Sequence, residues 1–182
     1  HERLALLAKM TSLFAAGIDL EATLHSVVEV FVPAIAQAAS IDLLEHGAFR
    51  RVAFAVSESY SPAPPSEMTR ESGLSASDRA IRDIMERGEP FVAQIHSAGD
   101  YLFPPSTPGR DEFFRNAIPF SIIFAPLRAH GAVLGMMQVV SLRGARMYTA
   151  DDALLVADIA QRAAFAIHNA QLVNDLKREL EL

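Results

Sequence analysis

Residues 121–175 read SIIFAPLRAHGAVLGMMQVVSLRGARMYTADDALLVADIAQRAAFAIHNAQLVND. Two apolar runs, Phe120 to Arg128 and Val133 to Leu142, flank a turn at Ala129-His130-Gly131. Both are apolar at consecutive rather than alternate positions, so the hairpin they form has to be covered on both faces. A sheet with helices on each side follows from burial alone. Gly135 and Ser141 are small positions at which a helix is expected to approach closely. From Thr149 a long helix is predicted, with the Thr149 hydroxyl as cap and Asp152 at the capping-box position. Asp151 and Asp152 also suit the positive end of its dipole. Its packed face is expected to be Leu155, Ile159, Ala163, Ala166, Ile167 and Ala170. Beyond it, Val173, Leu176 and Leu180 keep 3–4 spacing among charged residues, so residues 173–182 read as the start of a coiled-coil seam.

Working upstream, Glu2 to Ala16 predicts a helix with two adjacent apolar stripes, Leu4-Leu7-Thr11-Phe14 and Leu6-Met10-Leu13. Asp19 caps a second helix from Leu20 to about Gln37, in which Pro33 predicts a kink or an early end. Its buried face is Leu24, Val27, Val28, Phe31, Val32 and Ile35. Ala38–Glu45 and Phe49–Val56 then form a hairpin about His46-Gly47. Ser57 to Ser77, with Ser61-Pro62-Ala63-Pro64-Pro65 at its centre, reads as an exposed loop. A helix capped by Ser75 or Ser77 runs to Arg87 and stops at Gly88, and Phe91–Ile95 is a short strand. A second Pro-rich loop spans His96–Gly109, and Asp111–Ala117 is a short helix presenting Phe113 and Phe114.

The chain has 182 residues, 51% apolar and 21% charged, which suits one domain with a full core. A net charge of −6 with scattered Lys and Arg gives little electrostatic support for nucleic-acid binding. No apolar run reaches the roughly 18 residues that cross a bilayer, and no secretion signal is visible. Cysteine is absent, which removes disulfides, thiolate catalysis and thiolate metal sites and fits a reducing cytoplasm. Both ends fall within helical patterns, so residues 1–182 are expected to be a single module excised from a longer signalling protein.

Four segments in order carry a resemblance. Ala125-Pro126-Leu127 ends a strand, Val133-Leu134-Gly135-Met136-Met137 opens the next, Tyr148-Thr149-Ala150-Asp151-Asp152 starts the last helix, and Ala166-Ile167-His168-Asn169-Ala170-Gln171-Leu172 lies within it. Together with the element order over residues 3–175, they resemble a GAF domain. The resemblance implies an α+β, profilin-type fold. It has a central antiparallel sheet of about five or six strands, with the terminal helices on one face and short helices and loops over a pocket on the other. It also implies a small-molecule sensor and dimerisation domain of a signal-transduction protein, such as a sensor histidine kinase or related regulator, acting on an attached output domain and not itself an enzyme. Cyclic-nucleotide-binding relatives carry an Asn-Lys…Phe-x3-Asp-Glu signature. Here Ser141-Leu142, Tyr148 and Ala153 replace all of it but Asp152. Covalent bilin attachment and thiol-based methionine sulfoxide reduction both require the cysteine this chain lacks.

Candidate site residues come from the aromatics near the two loops. Phe54, Phe91, Tyr101, Phe113, Phe114 and Phe120, with Gln94, Arg115 and Gln138 as polar groups, are expected to line the pocket; Arg110 and Ser121 join the same polar set. The alternative is that the same aromatics simply fill core. Arg110 or Arg115 is suited to a ligand carboxylate or phosphate. No cofactor is indicated. None of the six histidines pairs as His-x3-His, no Gly-x-Ser-x-Gly elbow occurs and no phosphate-cradling loop is present. Surplus apolar residues on the terminal helices (Leu4, Leu7, Phe14, Phe165, Leu172, Leu176) are expected to meet a second copy in a two-fold bundle. A ligand-free dimerisation module, a PAS-like sensor and the effector domain of a transcription regulator are the alternatives.

Overall fold

The computed structural model describes residues 2–16, 19–60, 64, 66–97 and 108–181. Tyr101 and Phe103 lie outside them. The elements run α1 (Glu2–Ala16), α2 (Leu20–Phe31), β1 (Ala38–Glu45), β2 (Ala48–Val56), α3 (Ser66–Arg70) and α4 (Arg79–Arg87). They continue with β3 (Phe91–Ile95), α5 (Pro108–Arg115), β4 (Phe120–Ala129), β5 (Ala132–Ser141) and α6 (Ala150–Glu181). The strands form one antiparallel sheet in the order β2-β1-β5-β4-β3. This is the expected α+β arrangement.

Both hairpins turn on the same dipeptide. His46 and His130 have φ of 52° and 51°, and Gly47 and Gly131 have φ of 79° and 80°. Left-handed conformations at both central residues match the twist of the flanking strands and set a two-residue loop, so Glu45 pairs with Ala48 and Ala129 with Ala132.

The sheet is covered twice. On one face α1, α2 and α6 bury Leu6, Met10, Leu24, Val28, Phe31, Ile159 and Ile167 against Ile41, Ile123, Leu127, Met137 and Val139. On the other, α3, α4 and α5 bury Met68, Ile81, Ile84 and Phe113 against Phe120, Ile122, Phe124, Met136 and Val140. The two ends of the chain therefore share a flank.

Several expectations change in detail. The second helix stops at Phe31 rather than near Gln37, because Val32, preceding Pro33, is extended. The first Pro-rich segment is not all loop: α3 forms in it and buries Met68. Asp78, not Ser75 or Ser77, caps α4. Its carboxylate accepts from the Ala80 and Ile81 amides at 2.9 and 3.3 Å, while the two serine hydroxyls bond each other. A Cβ at Gly135 would lie 2.2 Å from the Asp42 carbonyl oxygen, so the close approach is by strand β1. The Ser141 hydroxyl accepts the Arg146 amide at 2.7 Å.

Gly135→Ala is expected to force β1 and β5 apart and lower stability by about 1–3 kcal/mol. The readout is a lower urea midpoint with an unchanged denaturant slope.

Candidate ligand site

The face under α3 and α5 carries a polar cluster set into an aromatic surround. Its formation starts with register. The two-residue turn at His46-Gly47 pairs Asp42 with Arg51, and a bulge then shifts the ladder so that Ile41 faces Ala53. Val52 is the extra residue. The shift lets Phe54, Arg51 and Phe49 share the α3/α5 face while Arg50 points the other way, toward Glu21 of α2 at 3.6 Å.

Arg51 and Asp42 are buried, with side chains 6% and 0% exposed. The guanidinium grips the carboxylate with two prongs, Nε to Oδ1 at 2.9 Å and Nη2 to Oδ2 at 3.2 Å. Ser72 donates to Oδ2 at 2.7 Å, and Gln138 Nε2 adds a longer contact at 3.3 Å. Arg51 also donates to the Met68 carbonyl and to Ser40 Oγ. The pair therefore ties the segment 66–74 down onto the sheet. Arg110 ties the same segment to α5: it is buried, and it donates to the Glu71 carbonyl at 2.9 Å. A Cβ at Gly73 would meet its guanidinium at 2.1 Å.

Beside this cluster lies a cavity of about 30 Å³ lined by Ser40, Arg51, Phe54, Met68, Phe113, Phe114 and Gln138, among others. That is room for a water or a small polar group. A chain of edge-on and tilted rings closes it: Tyr60 to Phe113 at 5.6 Å, Phe113 to Phe114 at 5.3 Å and Phe114 to Phe120 at 5.3 Å.

The structure thus brings together Phe54, Phe113, Phe114 and Gln138 around the cavity, with Phe120 packed behind Phe114. Phe91 shares the face but sits on the edge strand, 38% exposed and stacked on Phe124, away from the cavity. Arg115 is exposed in the last turn of α5, and Tyr101 lies outside the described residues. Gln94 does not belong to this face, because strand alternation turns it to the opposite side. There its Nε2 donates to the Tyr148 carbonyl at 3.0 Å. Ser121, its cross-strand partner, accepts the Tyr148 amide at 3.2 Å. Neither Arg110 nor Arg51 offers a free guanidinium to an acidic ligand, since each holds protein oxygens.

Sequence reasoning missed Asp42, Arg51 and Ser40. The signal was a charged residue within the apolar run Ile41–Leu44, paired by the tight turn with an arginine on the next strand. It also missed that His130 and His168 touch, with ring centres 4.6 Å apart and Phe165 packed edge-on against His130. Among the described residues no group of three or more potential ligands is placed to hold a metal.

On the opposite, helical side Tyr148 connects the sheet to α6. Its hydroxyl donates to the Ile35 carbonyl at 2.8 Å, and burial pushes that hydroxyl far above the normal phenol range. Next to it, Thr149 and Asp152 form the expected capping box (Thr149 N to Oδ2 2.9 Å; Asp152 N to Thr149 Oγ1 3.3 Å). Burial alone would raise the Asp152 carboxyl. The Thr149 amide and the Arg146 guanidinium, at 2.6 Å, outweigh it and hold the group below the ordinary aspartate value. Arg146 reaches Glu2 of α1 as well, at 3.1 Å. A broad concavity of about 1000 Å³ lies elsewhere: it is the open crook where α6 leaves the body, lined by surface charges such as Glu21, Arg50, Arg162 and Lys177.

The GAF domain family model matches residues 19–167. Among solved structures, the GAF domain of a phosphoenolpyruvate-protein phosphotransferase from Coxiella burnetii superimposes with TM-score 0.74 at 20% identity, covering 96% of this chain and 97% of that one. The phycocyanobilin-bound GAF domain of a cyanobacterial phytochrome gives 0.66 at 16%, covering 93% and 96%. A free methionine-R-sulfoxide reductase from Neisseria meningitidis, in complex with its substrate, gives 0.68 at 16%, covering 94% and 91%. At these identities the likeness is one of fold. No curated protein matches the chain.

Two predictions follow from the cluster and the cap. Arg51→Met leaves a buried carboxylate uncompensated and is expected to cost about 3–5 kcal/mol, most of it regained in Arg51→Met/Asp42→Leu; denaturant unfolding of the single and double variants measures this. Because the folded Asp152 value is depressed, its stabilisation is present above the unfolded value of about 3.9 and fades as pH falls through the folded one. Asp152→Asn is therefore expected to lose about 0.5–2 kcal/mol near neutral pH and to flatten the acid limb of the stability–pH curve.

Proposed function

Because the chain belongs to the GAF domain family, whose members are regulatory small-molecule-sensing domains of signalling proteins, we propose that it senses a small molecule on the α3/α5 face. Phe54, Phe113, Phe114 and Phe120 supply the walls. Gln138 and the newly recognised Ser40, Asp42 and Arg51 supply the polar end. The observation that carries this reading is the buried, hydrogen-bonded polar cluster within an otherwise apolar layer, under the segment that Arg51, Asp42 and Arg110 tether. Apolar walls with a few convergent polar groups are the ordinary makeup of a small-molecule pocket.

In this reading the signal passes through strand alternation. Phe120 and Ile122 face the ligand side, while Ser121 between them holds the Tyr148 amide at the start of α6. A ligand that shifts β4 would therefore move α6. The output domain, a sensor kinase or a related regulator, lies beyond α6 in a longer cytoplasmic protein. No helix among the described residues is long and apolar enough to cross a membrane. The working form is a homodimer through α1 and α6. Leu4, Phe165, Leu172, Val173, Leu176 and Leu180 are between 41% and 86% exposed in the monomer, an apolar array without a cover. A regulatory rather than catalytic role fits a chain without cysteine.

One observation favours a second reading. The cavity of about 30 Å³ is nearly filled by the protein's own rings, as in a dimerisation module that binds nothing. Native mass spectrometry separates the two: a dimer carrying one extra small mass per subunit supports the sensor, and a bare dimer supports the module. Leu172→Glu/Leu176→Glu is expected to give a monomer by sedimentation velocity with the domain's thermal unfolding unchanged; a dimer that persists would overturn the helical interface.

A further inference from the structure

The polar end of the proposed pocket has a definite charge. Asp42 and Arg51 neutralise each other inside it, and both are buried. Four of the five guanidinium hydrogens of Arg51 are engaged: one by Asp42 Oδ1, two by Asp42 Oδ2 and Ser40 Oγ, and one by the Met68 carbonyl. An incoming anion would find the Arg51 guanidinium already committed to Asp42, Ser40 and Met68. It would add a second negative charge beside Asp42 in a desolvated setting. An incoming cation would meet a carboxylate already satisfied by Arg51, Ser72 and Gln138.

What the cluster leaves unused is neutral hydrogen-bonding capacity. Gln138 commits its Nε2 to Ser40 and Asp42 at 3.4 and 3.3 Å, which fixes the amide orientation, since the reverse would set its oxygen against the carboxylate. Its Oε1 has no partner among the described residues. Ser40 Oγ accepts from Arg51 and Gln138 and keeps its own hydrogen to donate. The cavity beside them therefore offers one acceptor and at least one donor, within a surround of Phe54, Phe113 and Phe114.

From this we infer that the pocket recognises an uncharged planar aromatic molecule bearing an adjacent N–H and C=O, such as a carboxamide or lactam. The N–H donates to Gln138 Oε1 and the carbonyl accepts from the Ser40 hydroxyl. The amide group fits the volume already open. The ring requires Phe114, half-buried at the cavity's side, to turn aside and stack against it. The inference rests on the sensor reading and specifies its ligand.

The test uses three isosteric probes, benzamide, benzoate and benzamidine, titrated into the 182-residue chain. The observed signals are the Gln138 side-chain amide and the Arg51 Nε–H in ¹⁵N-correlated NMR spectra. Benzamide is expected to shift both, with the two charged probes at least about tenfold weaker, because each would bury an uncompensated charge. Asp42→Asn releases the Arg51 charge and is expected to turn the preference toward benzoate. Gln138→Leu is expected to abolish the benzamide shift. If Asp42→Asn does not fold, the wild-type ranking decides. Benzoate or benzamidine binding as tightly as benzamide overturns the neutral-ligand inference while leaving the sensor reading intact. No shift from any probe also overturns it, and the sensor reading then stands or falls on whether native mass spectrometry finds a copurified small molecule.

Discussion

Three middle strands that are buried on both faces govern this molecule, because such a sheet is stable in water only when each face is roofed by another layer. β4 is buried along nearly its whole length, and β1 and β5 along most of theirs. One roof is built from the long terminal helices. The other is built from three short helices, α3, α4 and α5. The first is continuous with the chain ends, and the second is local. A change in the local roof can reach the termini through the sheet, and strand alternation supplies a route: on β4 Phe120 and Ile122 face one roof while Ser121, between them, holds Tyr148 beneath the other.

The Asp42–Arg51 pair sits at the weak point of the local roof. A buried ion pair contributes little net stability compared with well-packed apolar residues. Its retention in the middle of an apolar layer therefore asks for a positional reason. Here the pair holds Met68 and Ser72 to the sheet, and it presents Ser40 and Gln138 with fixed donor and acceptor directions. The surface pairs of the same hairpin, Arg50 with Glu45 and Glu21, are half-exposed and do neither.

Much of this was legible along the chain, and the particular residues explain why. His46-Gly47 and His130-Gly131 identified both hairpins, since a Gly after a residue tolerant of positive φ closes a two-residue loop. Thr149 and Asp152 marked the start of α6 through a contact three residues apart. Features of that kind need only neighbouring atoms. The cap of α4 was less secure, because Ser75, Ser77 and Asp78 all have suitable side chains. The carboxylate prevailed where the two hydroxyls could satisfy each other.

The sequence by itself determined the order of elements, their alternation of apolar and polar residues, the demand for two roofs and the absence of thiol chemistry. These depend on local propensity and on residue types. Only the tertiary structure decided which residues share a face. Gln94 and Ser121 went to the helical side and Phe54 to the other, because a bulge at Val52 and the pairing of β3 with β4 set the phase of each strand. A one-residue shift in register reverses every side chain beyond it, and no local pattern fixes that shift. Packing of distant strands does.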